Sequence, residues 1–265
     1  MKLEGKVALV TGGGRGIGRA ICLAYACEGA HVVVASDNGG ENVAVAEEIK
    51  ALGTHAVPYE LDVSDSAQVR AMAETVLSEF GKVDVLVNNA AIMRRALLAY
   101  SDEDVWRRVI EVTVYGAYYC CKAFVPAMME RDRGRIINMS SIAGKIANPG
   151  NSSYAVAKHG LIGLTRALAA EVALLGAKGI TVNAICPGIT NTEMVTGPEG
   201  TFTKISEALG ISKEKVWEDI LKKRIVQERI LEPEEIAHMA LYLASDEAHG
   251  ITGQAINVCG GTVMH

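Results

Sequence analysis

Aromatic residues are scarce, at 5% of the 265 positions, and only six prolines occur. No apolar run approaches the roughly 20 residues that a membrane-spanning helix needs. The opening stretch, Met1 to Val10, lacks the long apolar core of a signal peptide and leads straight into a strand. The six cysteines, Cys22, Cys27, Cys120, Cys121, Cys186 and Cys259, fall in no CxxC or Cys/His metal spacing. They read as buried, reduced thiols of a cytoplasmic protein, and no metal is expected. Cationic side chains are not in excess: 26 Lys and Arg against 31 Asp and Glu leave a net charge of -5, which gives no footprint for nucleic acid. With no Pro/Ser-rich linker, fixed-period repeat or low-complexity segment, residues 1–265 read as one domain.

What is present is an alternation of apolar runs and amphipathic segments. Strands are expected at 7–10, 32–34, 55–61, 83–87, 135–139, 180–185 and 255–258. Helices are expected after Gly18, over 41–52, after Asp65, over 101–130, 152–176 and 202–228, and from Pro233 to 244. Val69, Met72, Ala73, Val76, Leu77 and Phe80 keep the i, i+3, i+4, i+7 rhythm, with Asp65 placed to cap them. The strands are continuous Val/Ile runs, as strands buried on both faces require. The pattern predicts an α/β fold with a doubly wound parallel sheet and helices on both faces. In such sheets ligands bind at the carboxyl ends of the strands, and every unusual cluster of the chain falls at such an end.

The first cluster is TGGGRGIG, Thr11 to Gly18, between the first strand and the first helix. Glycines there permit a tight turn and close approach of the backbone to a pyrophosphate, which the helix N-terminus attracts. After the second strand, Asp37 is placed to accept hydrogen bonds from the adenosine ribose of NAD and to repel the extra phosphate of NADP. Ser36 and Arg15 speak for NADP instead, so NAD is favoured and NADP stays open. The second cluster is SIAGKIANPGNSSYAVAK, Ser141 to Lys158. Tyr154 and Lys158 lie at i and i+4 on a helix and point into one space. An ammonium near a phenol favours the phenolate, and a tyrosine brought down from its ordinary value of about 10 is a usable acid and base.

With TGGGRGIG, NNAA, Ser141, YAVAK and CPG in this order, the chain resembles the short-chain dehydrogenase/reductase family over essentially its whole length. Ser141, thirteen positions before Tyr154, fits the family interval where Ser140 does not. The resemblance implies a Rossmann-like sheet of seven strands, commonly a homotetramer, and hydride transfer between NAD(P) and a secondary alcohol or carbonyl. It implies that Gly12, Gly14, Arg15, Gly16, Ile17 and Gly18 hold the cofactor phosphates, and that Asp62 and Val63 lie against the adenine. Asn89, Ala90 and Ala91 would line the cleft, and Pro187, Gly188, Ile189, Thr190 and Thr192 would hold the nicotinamide side. Ser141 would position the substrate oxygen. Tyr154 would exchange its proton, and Lys158 would lower the tyrosine pKa and bind the ribose.

Two residues depart from the family pattern. Ala91 stands where NNAG is usual. Thr113 ends WRRVIEVT where an asparagine usually supports a water relay to the lysine. Residues 192–228 would form a substrate lid. The segment GKIANPGNSSY and the ending TGQAINVCGGTVMH look like those of polyol dehydrogenases, including sorbitol-6-phosphate dehydrogenase. A small polar polyol or sugar alcohol is therefore the expected substrate, with Arg94, Lys145 and Asn151 as possible polar contacts, and a 3-oxoacyl thioester reductase is the alternative. A sugar-nucleotide epimerase fits less well, because the glycine spacing is TGxxxGxG. A non-catalytic NAD(P)-binding regulator conflicts with intact Ser141, Tyr154 and Lys158. A serine hydrolase lacks the GxSxG elbow.

Overall fold

Seven strands make one parallel sheet in the computed structural model, which describes residues 1–265. Their order is β3-β2-β1-β4-β5-β6-β7. The strands are β1 (Val7–Thr11), β2 (His31–Ser36), β3 (Ala56–Glu60), β4 (Val85–Asn88), β5 (Gly134–Met139), β6 (Ile180–Pro187) and β7 (Ala255–Val258). The expected Rossmann-like architecture is present. Chain order reverses at β1, which pairs with β2 on one side and β4 on the other. That reversal opens the crevice where such sheets take their ligands.

The two-residue period of a strand sorts the core. Ala8, Val10, Val32, Val34, Val85 and Val87 face one cluster, with α1 (Gly16–Cys27), α2 (Gly39–Ala51) and the helix Pro233–Ala244. Val7, Leu9, Val33, Ala35 and Leu86 face the other, with α3 (Ser66–Phe80), α5 (Gly116–Glu130) and α6 (Ser152–Leu174). Asp65 caps α3, as expected, by accepting from the backbone of Ala67 and Gln68. No helix is long and apolar enough to cross a membrane, and no cluster of three or more metal-binding side chains occurs.

Four expectations are corrected. The segment 101–130 is not one regular helix: α4 (Glu103–Ile110) meets α5 through a π-helical turn, Glu111–Tyr115, which holds Thr113. Residues 202–228 break after the helix Thr201–Leu209, because Gly210 turns left-handed at φ +63°, and the path resumes in short turns as far as Arg224. Strand β6 runs on through Pro187, which takes the last ladder position opposite Val258. Cys27 is exposed, while the other five thiols are buried.

At the amino end of the sheet Asp84 ties three segments together. Its side chain is 6% exposed and accepts from Lys82 Nζ at 3.0 Å and Arg131 Nη1 at 2.9 Å. The Val7 N–H donates to it at 2.9 Å. Burial pushes its carboxyl up, but these donors outweigh burial and hold it below the ordinary range. A depressed carboxyl contributes stability above its unfolded pKa of about 3.9 and loses it as pH falls through the folded value. Asp84→Asn is expected to destabilise the fold at pH 7 by about 1–3 kcal/mol, since its partners are themselves a third exposed. In chemical denaturation the deficit should shrink as pH drops below about 4. A deficit independent of pH would contradict this account.

Candidate active site

The glycine loop leaves β1 at Thr11 and enters α1 at Gly16. Gly12 has φ +62°, and a Cβ there would sit 2.9 Å from Asn89 Nδ2. A Cβ on Gly18 would collide with the Gly12 carbonyl, so the loop can fold onto the helix only without side chains. Arg15, the N-cap, gives α1 no side-chain cap, which leaves the first amides of the helix facing outward. A cradle of this shape, with uncapped amides behind it, fits a dinucleotide pyrophosphate.

Asn89 braces the cradle. Its Nδ2 donates to the Thr11 and Gly12 carbonyls, both at 3.0 Å. Thr11 Oγ1 accepts from the amides of Asn89 and Ala90 at 3.0 and 3.1 Å. Asn89, Ala90 and Ala91 are all half-buried beside the cradle.

Acidic groups gather near the ends of β2 and β3. Asp37 is exposed and makes no ion pair. Glu60 packs against Gly39 and Glu41 against Gly14. Arg15, a candidate phosphate ligand, is engaged by Glu193 at 2.7 Å and Glu41 at 3.8 Å. The Asp62 carboxylate accepts from the Ser64 amide at 2.9 Å and from Arg108 Nη2 at 2.6 Å. Burial pushes the Asp62 carboxyl up, but Ser64 and Arg108 together hold it below its ordinary range. Val63 is buried against Gly116. Past the end of β6, Gly188 donates to the Val258 carbonyl at 2.9 Å. Thr190 and Thr192 hold the turn that follows Pro187, with Thr192 packed on Gly16. Ile189 joins a small apolar cluster with Phe202, Val216 and Leu221, and Ile17 packs on the sheet.

The end of β5 and helix α6 bring Ser141, Tyr154 and Lys158 together. Ser140 Oγ donates to the Lys158 carbonyl at 2.9 Å. A Cβ on Gly144 would lie 2.7 Å from that carbonyl, so the turn Ile142–Gly144 packs flush on α6. Ser141 caps this turn by accepting from the Ala143 amide at 3.1 Å. Lys158 is 2% exposed; its Nζ donates to the Met139 carbonyl at 2.7 Å and lies 5.4 Å from the centroid of the Tyr154 ring.

In the protein alone, burial dominates the ionisation of both groups. Burial pushes the half-buried Tyr154 phenol up to about 12, against a smaller opposite effect of the Ser141 hydroxyl. Burial pulls Lys158 down to about 7. The ammonium is turned to a carbonyl and sits over the ring, which limits its effect on the phenol oxygen. Thr113 is 1% exposed, and its Oγ1 has no protein hydrogen-bond partner.

Sequence reasoning missed the polar chain beneath these groups. Asn88 Nδ2 donates to Asn138 Oδ1 at 2.8 Å, Asn138 Nδ2 to Thr165 Oγ1 at 2.9 Å, and Thr165 Oγ1 to the Leu161 carbonyl at 2.7 Å. Its signal was one asparagine in each of two apolar strands, paired in register. Glu41 was also missed, since nothing in the order of residues marks its approach to the glycine loop.

A family model described as Enoyl-(Acyl carrier protein) reductase matches residues 12–263. The chain is 41% identical over 265 residues to a 3-oxoacyl-acyl-carrier-protein reductase of Thermotoga maritima, covering 100% of both chains. It is 41% identical to the enzyme of that name from Staphylococcus aureus, covering 98% of both. With the Salmonella typhimurium enzyme of that name it shares 38% identity over 100% of both.

A lysine whose folded pKa lies near 7, against about 10.4 unfolded, binds fewer protons folded than unfolded between those values. Its burial therefore costs stability most below pH 7, and the cost fades as pH rises toward 10. Lys158→Met should raise stability by about 1–3 kcal/mol at pH 6 and by less at pH 9. Denaturant melts at the two pH values test this, and a variant equally or less stable at pH 6 would contradict it.

Proposed function

Because the chain belongs to the short-chain dehydrogenase/reductase family, and so is an NAD(P)-dependent oxidoreductase acting between CH–OH and carbonyl groups, we propose that it reduces 3-oxoacyl thioesters with Tyr154 as the proton donor. The observation that carries this reading is geometric: the Tyr154 phenol stands beside the Ser141 hydroxyl, with Lys158 Nζ 5.4 Å from its ring centroid, at the carboxyl edge of the sheet. A phenol that holds its proton when the carbonyl binds can deliver it to the developing alkoxide, which suits the reductive direction. The substrate class draws on the relatives named above, all 3-oxoacyl reductases by name. They lend nothing to the polyol reading, whose support stays with the segments 144–154 and 252–265.

When bound, the nicotinamide supplies the hydride. Ser141 Oγ hydrogen-bonds the substrate oxygen and fixes the carbonyl, and Tyr154 delivers its proton to the same oxygen. Lys158, titrating near 7, can hold or release a proton under working conditions and returns one to the site. Thr113 Oγ1, with its hydrogen-bonding capacity unused by the protein, is suited to hold a water of that return path in place of the usual asparagine. Acid assistance contributes typically about 10²–10⁴-fold. Holding both reactants in place supplies roughly 7–11 kcal/mol at best.

For the cofactor, NAD is the better match. Asp37, Glu41 and Glu60 set negative charge around the ends of β2 and β3, and Glu193 engages Arg15. An added ribose phosphate would meet repulsion there. Gly12, Gly14, Gly16, Ile17 and Gly18 would hold the pyrophosphate, Asp62 and Val63 the adenine end, and Pro187 to Thr192 the nicotinamide side. Residues 192–228 would act as the lid. Exposed apolar side chains on α5 and α6, among them Tyr118, Val156 and Leu174, suit an oligomer such as a homotetramer.

Tyr154→Phe should cut turnover of acetoacetyl-CoA by about 100-fold or more with cofactor affinity unchanged. The measurement follows the nicotinamide absorbance, and near-normal turnover would refute the assignment. In the wild type kcat/KM with NADH should exceed that with NADPH by about ten-fold or more, and Asp37→Ser with Glu41→Gln should narrow the gap. A preference for NADPH would overturn the cofactor reading.

A further inference from the structure

Two arginines from distant parts of the chain, Arg95 and Arg224, hydrogen-bond the turn that leads into Tyr154, and Arg94 adjoins the first of them. Arg95 Nη2 donates to the Pro149 carbonyl at 3.2 Å and lies 3.9 Å from where Gly150 would carry a Cβ. Arg224, at the end of the 192–228 segment, donates from Nη2 to Asn148 Oδ1 at 2.9 Å. Arg94 is exposed beside Arg95, with a hydrogen bond only to the Met93 carbonyl at 3.0 Å. The two loops are stitched together by the Ala96 amide, which donates to the Gly150 carbonyl at 3.1 Å.

None of the three has a carboxylate partner. Apart from these, only Arg70 and Arg166 lack one, in a chain whose net charge is -5. Glu199, the acidic group whose charge reaches Arg94, is taken by Lys204 at 2.6 Å. Arg95 is half-buried without a counter-ion, which is costly unless an anion completes the site. Asn151 follows the same turn. It is 6% exposed, its Oδ1 has no hydrogen-bond partner, and it does not cap α6.

We propose that Arg94, Arg95 and Arg224 form a clamp for a phosphate carried by the substrate at a distance from its reacting carbon. Planar guanidinium forks are suited to phosphate oxygens, and three of them impose a preferred direction on a long substrate. Arg224 belongs to the proposed lid, so phosphate binding would also hold that segment against the 148–150 turn. The inference rests on Tyr154 marking the reacting end. The phosphate could belong to a pantetheine-borne thioester or to a phosphorylated sugar alcohol.

The test compares substrates that share a reacting group and differ in phosphate: acetoacetyl-CoA against acetoacetyl-N-acetylcysteamine, and a hexitol phosphate against the free hexitol. Arg94→Ala and Arg224→Ala, both at exposed positions, should each raise KM for the phosphate-bearing member by about ten-fold or more. They should leave its kcat within about two-fold and the phosphate-free KM unchanged. Whichever pair shows this identifies the source of the phosphate. If phosphate gives no advantage, or the variants weaken both members of a pair alike, the clamp is overturned while the reductase reading stands. If no substrate turns over, the reductase reading falls and the clamp is read by calorimetric titration of the NAD-saturated protein with CoA. An affinity about ten-fold or more weaker in the double variant supports it; equal affinity, or no binding to the wild type, overturns it.

Discussion

Everything at the site depends on how the end of β5 grips a single residue of α6. Lys158 is held twice, through its carbonyl by Ser140 Oγ and through its ammonium by the Met139 carbonyl. These contacts fix the rotation of α6 relative to the sheet, and so the position of Tyr154 one turn earlier. They also bury a cation at some cost in stability, because desolvation disfavours its charged form. The sheet tolerates that cost because both its faces are covered by apolar clusters.

The same packing decides which effect wins at the phenol. A nearby ammonium should draw the tyrosine down, and loss of water should push it up. With the amine committed to a carbonyl and placed over the ring, desolvation prevails. The result is a protonated acid beside a lysine that titrates near neutrality, a pairing whose two pKa values are driven apart by one cause.

Much of this was legible in the residues. Continuous apolar strands ending in glycine, asparagine and serine clusters gave the parallel sheet and its binding edge, and the i, i+4 spacing gave the Tyr154–Lys158 face. What was not legible depends on contacts between segments far apart in sequence. The grip of Ser140 on Lys158, the bracing of the glycine loop by Asn89 and the engagement of Arg15 by Glu193 leave no periodic mark. Helix texture was hidden as well. The π turn at Thr113 interrupts an otherwise unbroken helical pattern, and Gly210 ends a helix that charge patterning alone would have continued.

Ionisation of Tyr154 can be read directly as the tyrosinate absorbance of the wild-type protein minus that of its phenylalanine variant, followed as pH is raised without cofactor. The account predicts no contribution from this residue at pH 9, since its phenol holds its proton to about 12. A Tyr154-dependent tyrosinate band already present at pH 9 would contradict it, because the lysine would then be prevailing over burial.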